Sequence, residues 1–223
     1  MLTRRTGFSP KLGTITCLCV LVASPVHAQL VYDNGSPSSQ NVFNMTGFLE
    51  ADAFTLASPT TLTAVRFWIE ILDPSDYAGS VYWQIFSDAG GSPGGLLGGD
   101  LAVPVMSPGA NPFPGWTSIQ LDFGINQNLT PAGIYWLALH NGPLTNTTGS
   151  NVGWQTASLG ALAYSAQSNP APFDDGGWSP TQYQLAYRLF GTVVPEPATI
   201  GLLAIGLVGL AGVSLLRRQT RTA

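Results

Sequence analysis

Thr61-Leu62-Thr63-Ala64-Val65-Arg66-Phe67-Trp68-Ile69-Glu70-Ile71 decides the fold. In an extended chain Val65, Phe67, Ile69 and Ile71 fall on one face, and Arg66, Trp68 and Glu70 on the other. A helix would scatter that period of two. The pattern recurs at 116–123, where Thr117, Ile119, Leu121 and Phe123 oppose Ser118, Gln120 and Asp122. It recurs at 183–190, where Tyr183, Leu185, Tyr187 and Leu189 oppose Gln184, Ala186 and Arg188. The stretches 81–86 and 134–140 are apolar throughout, as expected of strands covered on both faces. Shorter strands are expected near 30–33, 48–56, 101–106, 152–155 and 162–164. Turn-forming clusters at 34–37, 73–76, 87–99, 108–115, 141–143 and 169–180 separate them. Nothing of twelve residues or more has helical periodicity. About ten short strands joined by Gly- and Pro-rich loops predict an all-β fold, a single β-sandwich of jelly-roll type.

Composition agrees. The chain has 223 residues, only 9% of them charged, with 26 glycines and 17 prolines. The charged fraction is far below the usual ~25%. Six of the eight basic residues lie near the ends: Arg4, Arg5, Lys11, Arg217, Arg218 and Arg221. Residues 29–194 hold only Arg66 and Arg188 against eleven carboxylates, a net charge of −9. Two cations cannot neutralise a phosphate backbone, so nucleic acid is excluded as a partner.

The ends read as export and membrane segments. Residues 1–28 carry Arg4, Arg5 and Lys11, then an apolar stretch, then Val26-His27-Ala28, the pattern of a signal peptide cleaved after Ala28. Both cysteines, Cys17 and Cys19, lie inside it, so the exported domain is expected to fold without disulfides. Residues 198–216 form a charge-free apolar run. As a helix rising ~1.5 Å per residue it would span about 28 Å, close to the ~30 Å hydrocarbon core. Arg217, Arg218 and Arg221 follow and should stay cytoplasmic, which places the preceding domain outside in a single-pass precursor. The expected division is therefore 1–28 signal peptide, 29–194 exported domain and 195–223 sorting segment, with a basic tail at 217–223.

Val194-Pro195-Glu196-Pro197 stands before the apolar run. An acid near a helix N-terminus and a proline in its first turn are ordinary start signals. The second proline stiffens the segment and removes a backbone donor. Pro195-Glu196-Pro197, the adjoining apolar stretch and Arg217-Arg218 together resemble the PEP-CTERM sorting signal. That resemblance implies recognition by an exosortase, a membrane-embedded cysteine protease or transpeptidase, and removal of the helix at or near the motif. It also implies a bacterium of Gram-negative type that makes exopolysaccharide. Segments such as Glu50-Ala51-Asp52-Ala53-Phe54 and Gly133-Ile134-Tyr135-Trp136-Leu137 resemble extracellular sandwich domains found with such signals, which supports the fold and carries no catalytic residue.

The chemistry-bearing residues are few. His140 is the only histidine after residue 28, so a His/Cys zinc centre is excluded and a Ser-His-Asp triad would depend on it. No Gly-x-Ser-x-Gly stretch stands between a strand and a helical run, as a nucleophile elbow requires. Glu50 and Asp52 share one strand face about 7 Å apart, expected as a solvated face, a cation site or a glycosidase pair. Asp73-Pro74-Ser75-Asp76 and Asp174-Asp175-Gly176-Gly177 are oxygen-rich turns of the kind calcium takes, although Asp and Gly are also common in ordinary turns. The glycine-rich 88–99 lacks the lysine of a phosphate loop and reads as a hairpin loop. Of six tryptophans, Trp83 and Trp136 suit the core. Trp68 and Trp178 are the ones expected to be exposed for sugar stacking.

The sequence thus predicts a non-enzymatic, exported surface or matrix protein sorted by an exosortase, with no cofactor; Asp174 and Asp175 are the candidate ligands for the alternative of one calcium ion. The alternatives are a carbohydrate-binding module for exopolysaccharide and a carboxylate-dependent glycoside hydrolase.

Overall fold

The computed structural model describes residues 28–110, 112–147, 151–158, 165–168, 177–194 and 206–207. Its strands are β1 (Gln29–Asp33), β2 (Pro37–Asn44), β3 (Glu50–Leu56), β4 (Thr60–Ile71), β5 (Val81–Asp88), β6 (Pro93–Ala102), β7 (Val105–Pro108), β8 (Thr117–Leu129), β9 (Gly133–Asn141), β10 (Val152–Ala157), β11 (Ser165–Gln167), β12 (Ser179–Thr181) and β13 (Tyr187–Val193). Among the described residues one 3-10 turn, Pro74–Asp76, interrupts them.

The strands form two antiparallel sheets, as the alternation predicts. The six-stranded sheet runs β12-β11-β3-β9-β5-β6. In the seven-stranded sheet β4 is the centre, paired along its whole length with β8, which in turn pairs with β7. The other side of β4 carries β13 and then β1 along its first half, and β10 and then β2 beyond. The 61–71 stretch is therefore the middle of its sheet.

Each face does what its side chains dictate. Val65, Phe67, Ile69 and Ile71 point between the sheets and meet Leu121, Phe123, Tyr187 and Leu189 from the neighbouring strands. Phe54, Ile85, Leu137 and Leu139 close the core from the second sheet. A second, smaller cluster lies on the outer face of that sheet, where Leu49, Ala51, Ala53, Phe86, Trp136, Ala138 and Ala166 pack together. Half-buried Leu144 and Trp178 cover it. This outer layer explains why 134–140 lacks alternation: β9 is covered on both faces.

The structure corrects several boundaries. Residues 93–99, expected within a loop, form most of β6 on the free edge of the six-stranded sheet, where no second partner demands large side chains, and the strand expected near 101–106 is divided between the end of β6 and the start of β7. Residues 37–44 form β2, which the turn signal at 34–37 conceals. The strand expected from 183 begins at Tyr187. Leu185 makes only an isolated bridge to Thr156. The strand expected near 162–164 lies outside the described residues, and Ser165–Gln167 is the paired segment.

Candidate functional site

The sorting motif Pro195, Glu196 and Pro197 lies outside the described residues, as do Arg217, Arg218 and Arg221. Of the apolar run 198–216, only Gly206 and Leu207 are described, and they are helical. No helix among the described residues is long and apolar enough to cross a membrane. The approach to the motif is defined: β13 ends at Val193, and the Val194 amide donates to the Pro59 carbonyl at 2.9 Å. At the other end Ala28 is exposed and precedes β1 directly.

The expected stacking tryptophans are not bare platforms. Trp68 is only 5% exposed, a correction to the expectation from its polar neighbours. It sits on the central strand, and the Arg188 guanidinium lies 5.3 Å from its ring centre. The Arg188 Nε is held by Asp33 at 3.0 Å. Trp178 is half-buried and meets Phe86 edge-on at 5.5 Å.

Asp174 and Asp175 lie outside the described residues. Asp73 is engaged locally: its Oδ1 accepts from the Ser75 amide and hydroxyl, capping the 3-10 turn. Those two bonds hold its carboxyl below the usual range. Among the described residues no three His, Cys, Asp or Glu side chains come together to hold a metal.

Glu50 and Asp52 overturn the expectation of a solvated face. They alternate with Ala51 and Ala53 of the outer cluster, so they point between the sheets, and they are 1% and 0% exposed. Burial pushes both carboxyls well above their usual range. Asp52 Oδ2 accepts from the Leu185 amide and from Asn34 Nδ2, tying β3 to segments flanking the opposite sheet. Glu50 Oε1 and Asp52 Oδ1 are buried and accept no hydrogen bond.

Glu70 is a third buried carboxylate. It accepts from the Phe113 amide and from Gln155 Nε2, and burial raises its pKa against those bonds. His140 is fully buried, with Nδ1 3.0 Å from the Gly142 carbonyl and Nε2 3.1 Å from that of Thr46. Burial lowers its pKa, while the two carbonyls pull the other way. Both ring nitrogens thus face backbone carbonyls.

One cleft among the described residues is not expected from the sequence. It opens where β6 and β8 part at the side of the sandwich and encloses about 570 Å³. Trp83 and Phe123 line it from the core, and Asp100, Asn126 and Gln127 line it with polar groups. Asp100 stands directly opposite Trp83 in the β5–β6 register. Among the described residues of the lining Asp100 is the sole titratable side chain, beside the polar amides of Asn126 and Gln127. The signal was the glycine-rich 93–102, since an edge strand without bulky residues leaves space beside it.

Residues 193–218 match the PEP-CTERM protein-sorting motif. No curated protein matches the chain. The motif match begins at the last residue of β13, so folded strand and sorting signal adjoin with no spacer.

Proposed function

We propose that this chain is an exported precursor whose β-sandwich is delivered by a cleaved signal peptide and sorted to the cell surface or matrix by an exosortase, and that the sandwich has no catalytic role. The observation that carries the reading is the sorting-motif match over 193–218, placed immediately after a complete all-β domain. Intact mass of the mature protein from its native host is the test. A chain starting at Gln29 and ending at or near Pro195–Pro197 is expected. Glu196→Ala should leave the full C-terminal segment attached. A mature form that retains residues 198–223 would overturn the reading.

The cleft between β6 and β8 favours a second reading, binding of neutral sugar. An aromatic wall from Trp83 and Phe123 supplies apolar contact, while Asp100, Asn126 and Gln127 supply hydrogen bonds for hydroxyls. This moves the carbohydrate reading away from Trp68 and Trp178. On polysaccharide affinity gels, Asp100→Ala and Gln127→Ala should abolish retardation while Trp68→Phe leaves it unchanged. Equal mobility on every glycan would sink it. The hydrolase alternative finds no support at Glu50 and Asp52, which are buried between the sheets and do not line the cleft between β6 and β8.

A further inference from the structure

We propose that the end of the sandwich from which the sorting segment leaves is a membrane-apposed face, seated on the headgroup layer of the bilayer that holds the precursor. The proposal rests on the reading that residues 198–216 cross that bilayer.

Tether length sets the distance. The last backbone hydrogen bond of the domain joins Val194 to Pro59. Only residues 195–197 separate Val194 from the apolar run at Ala198. Fully extended, the step from Val194 to Ala198 spans at most about 14 Å. The headgroup layer on one side of the hydrocarbon is roughly 5–8 Å thick. Even with the tether fully extended, the end of the domain therefore stays within about 6–9 Å of the headgroup surface while the apolar run is embedded, and any bend in the tether brings it into contact.

Among the described residues the same end carries no free side-chain charge. It comprises the β3–β4 turn Ala57, Ser58 and Pro59, the β8–β9 turn Thr130, Pro131 and Ala132, and the exit at Val193 and Val194. Val193, Val194 and Ile134 expose 42%, 43% and 38% of their surface there. Both sheets contribute: Val193 pairs with Thr60 in one, and Ile134 with Thr55 in the other. The one described carboxylate at this end is Asp88, and it is engaged by the Gly90 and Gly91 amides and by Trp136 Nε1.

Every other described charge lies further up. Asp33, Arg188, Arg66 and Asp122 form a row six residues along β4 from Thr60, about 20 Å away. Asp73 and Asp76 lie beyond the opposite end of β4, more than about 36 Å from Thr60. In a domain of net charge −9 this gradient matters. Carboxylates near an anionic leaflet would be repelled, and pressing them into headgroups would strip their water. A face of Val, Ile, Pro, Ala and hydroxyl side chains meets neither cost.

The test uses the signal-cleaved precursor, residues 29–223, which holds no cysteine of its own. Single cysteines replace Thr130 or Ile134 at the proposed face, or Leu72 at the opposite end, where Leu72 is 52% exposed. Each carries an environment-sensitive fluorophore. The proteins are reconstituted into phosphatidylethanolamine–phosphatidylglycerol vesicles containing a headgroup-attached quencher. Quenching several-fold stronger at 130 and 134 than at 72 is expected. Ala57→Glu with Ala132→Glu should reduce the signal at 130. Equal quenching at the three positions, in a precursor that resists alkaline extraction, overturns the proposal and leaves the anchor reading standing. A precursor released by alkali overturns both.

Discussion

Arg66 and Arg188, the only cations in residues 29–194, stand directly opposite each other on β4 and β13. Like charges in that position repel. Here each is neutralised from its far side, Arg66 by Asp122 at 2.6 Å and Arg188 by Asp33 at 3.0 Å. The result is one row across four strands, Asp33–Arg188–Arg66–Asp122, with no net charge. Each guanidinium also lies over an aromatic ring, Arg66 over Phe190 and Arg188 over Trp68.

Arg188→Ala should uncover Trp68 and leave Asp33 without its partner. Because the pair is partly solvated, the cost should be modest, about 1 kcal/mol. The clearer readout is optical: tryptophan emission should shift to the red and become more accessible to iodide. Arg188→Lys should restore the charge pair but only part of the cover, since an ammonium lacks the planar face. Unchanged emission and quenching in Arg188→Ala would show that Arg188 does not shield the ring.

Asp52→Ala should be among the most damaging single changes in the domain. It strands the Leu185 amide in a dry interior and takes from Asn34 Nδ2 one of its two acceptors, the Leu185 carbonyl remaining, a loss of about 2–4 kcal/mol. Asp52→Asn keeps an oxygen acceptor and should lose less. Denaturant midpoints for the two variants check the order, and equal midpoints would mean that the two sheets are not joined through this oxygen.

Glu50 should make the domain less stable as pH rises. Its pKa is raised in the fold by burial, so above its unfolded value near 4 the native state holds a proton that the unfolded chain has released. That contribution is fully present below about pH 4 and is lost as pH climbs through the raised folded pKa. Glu50→Gln cannot ionise. Wild type should therefore lose melting temperature relative to Glu50→Gln between pH 4 and pH 8. His140 acts in the other direction, since its lowered pKa costs stability as pH falls below about 6.5. Comparing the two proteins cancels that term. Parallel melting curves across the range would contradict a buried protonated Glu50.

Gly191→Ala should cost about 1–3 kcal/mol through overpacking. The glycine sits where the β13–β4 register shifts, and an added Cβ would lie 2.5 Å from the Thr61 carbonyl and 3.2 Å from Leu62 Cα. Both contacts are backbone of the central strand, which cannot swing aside. A shift in thermal midpoint measures the cost, and a neutral result would mean that the strands separate there at no penalty.

Much of the sandwich is legible in the chain. Val65, Phe67, Ile69 and Ile71 point inward as their spacing requires, and so do Leu185, Tyr187 and Leu189. Trp136 is buried as expected, although in the outer cluster and not between the sheets. Trp68 misled because alternation separates two faces without saying which is wet. Its neighbours Arg66 and Glu70 are polar, yet Glu70 is buried as well, beneath the segment whose Phe113 amide it binds. The cleft escaped notice because its walls, Trp83 with Asp100 and Phe123 with Gln127, come from strands on different sheets.

The chain by itself determined the two-residue period, the near absence of positive charge between 29 and 194, and the sorting motif match, because these depend only on residue type and local spacing. Tertiary structure alone decided that Glu50 and Asp52 are dry, that Trp68 lies under Arg188, and that a glycine-rich stretch becomes an edge strand beside a cleft. The physical reason is that solvent exposure belongs to a side chain's neighbours. Those neighbours are brought in by strand pairing and sheet stacking between segments far apart in sequence.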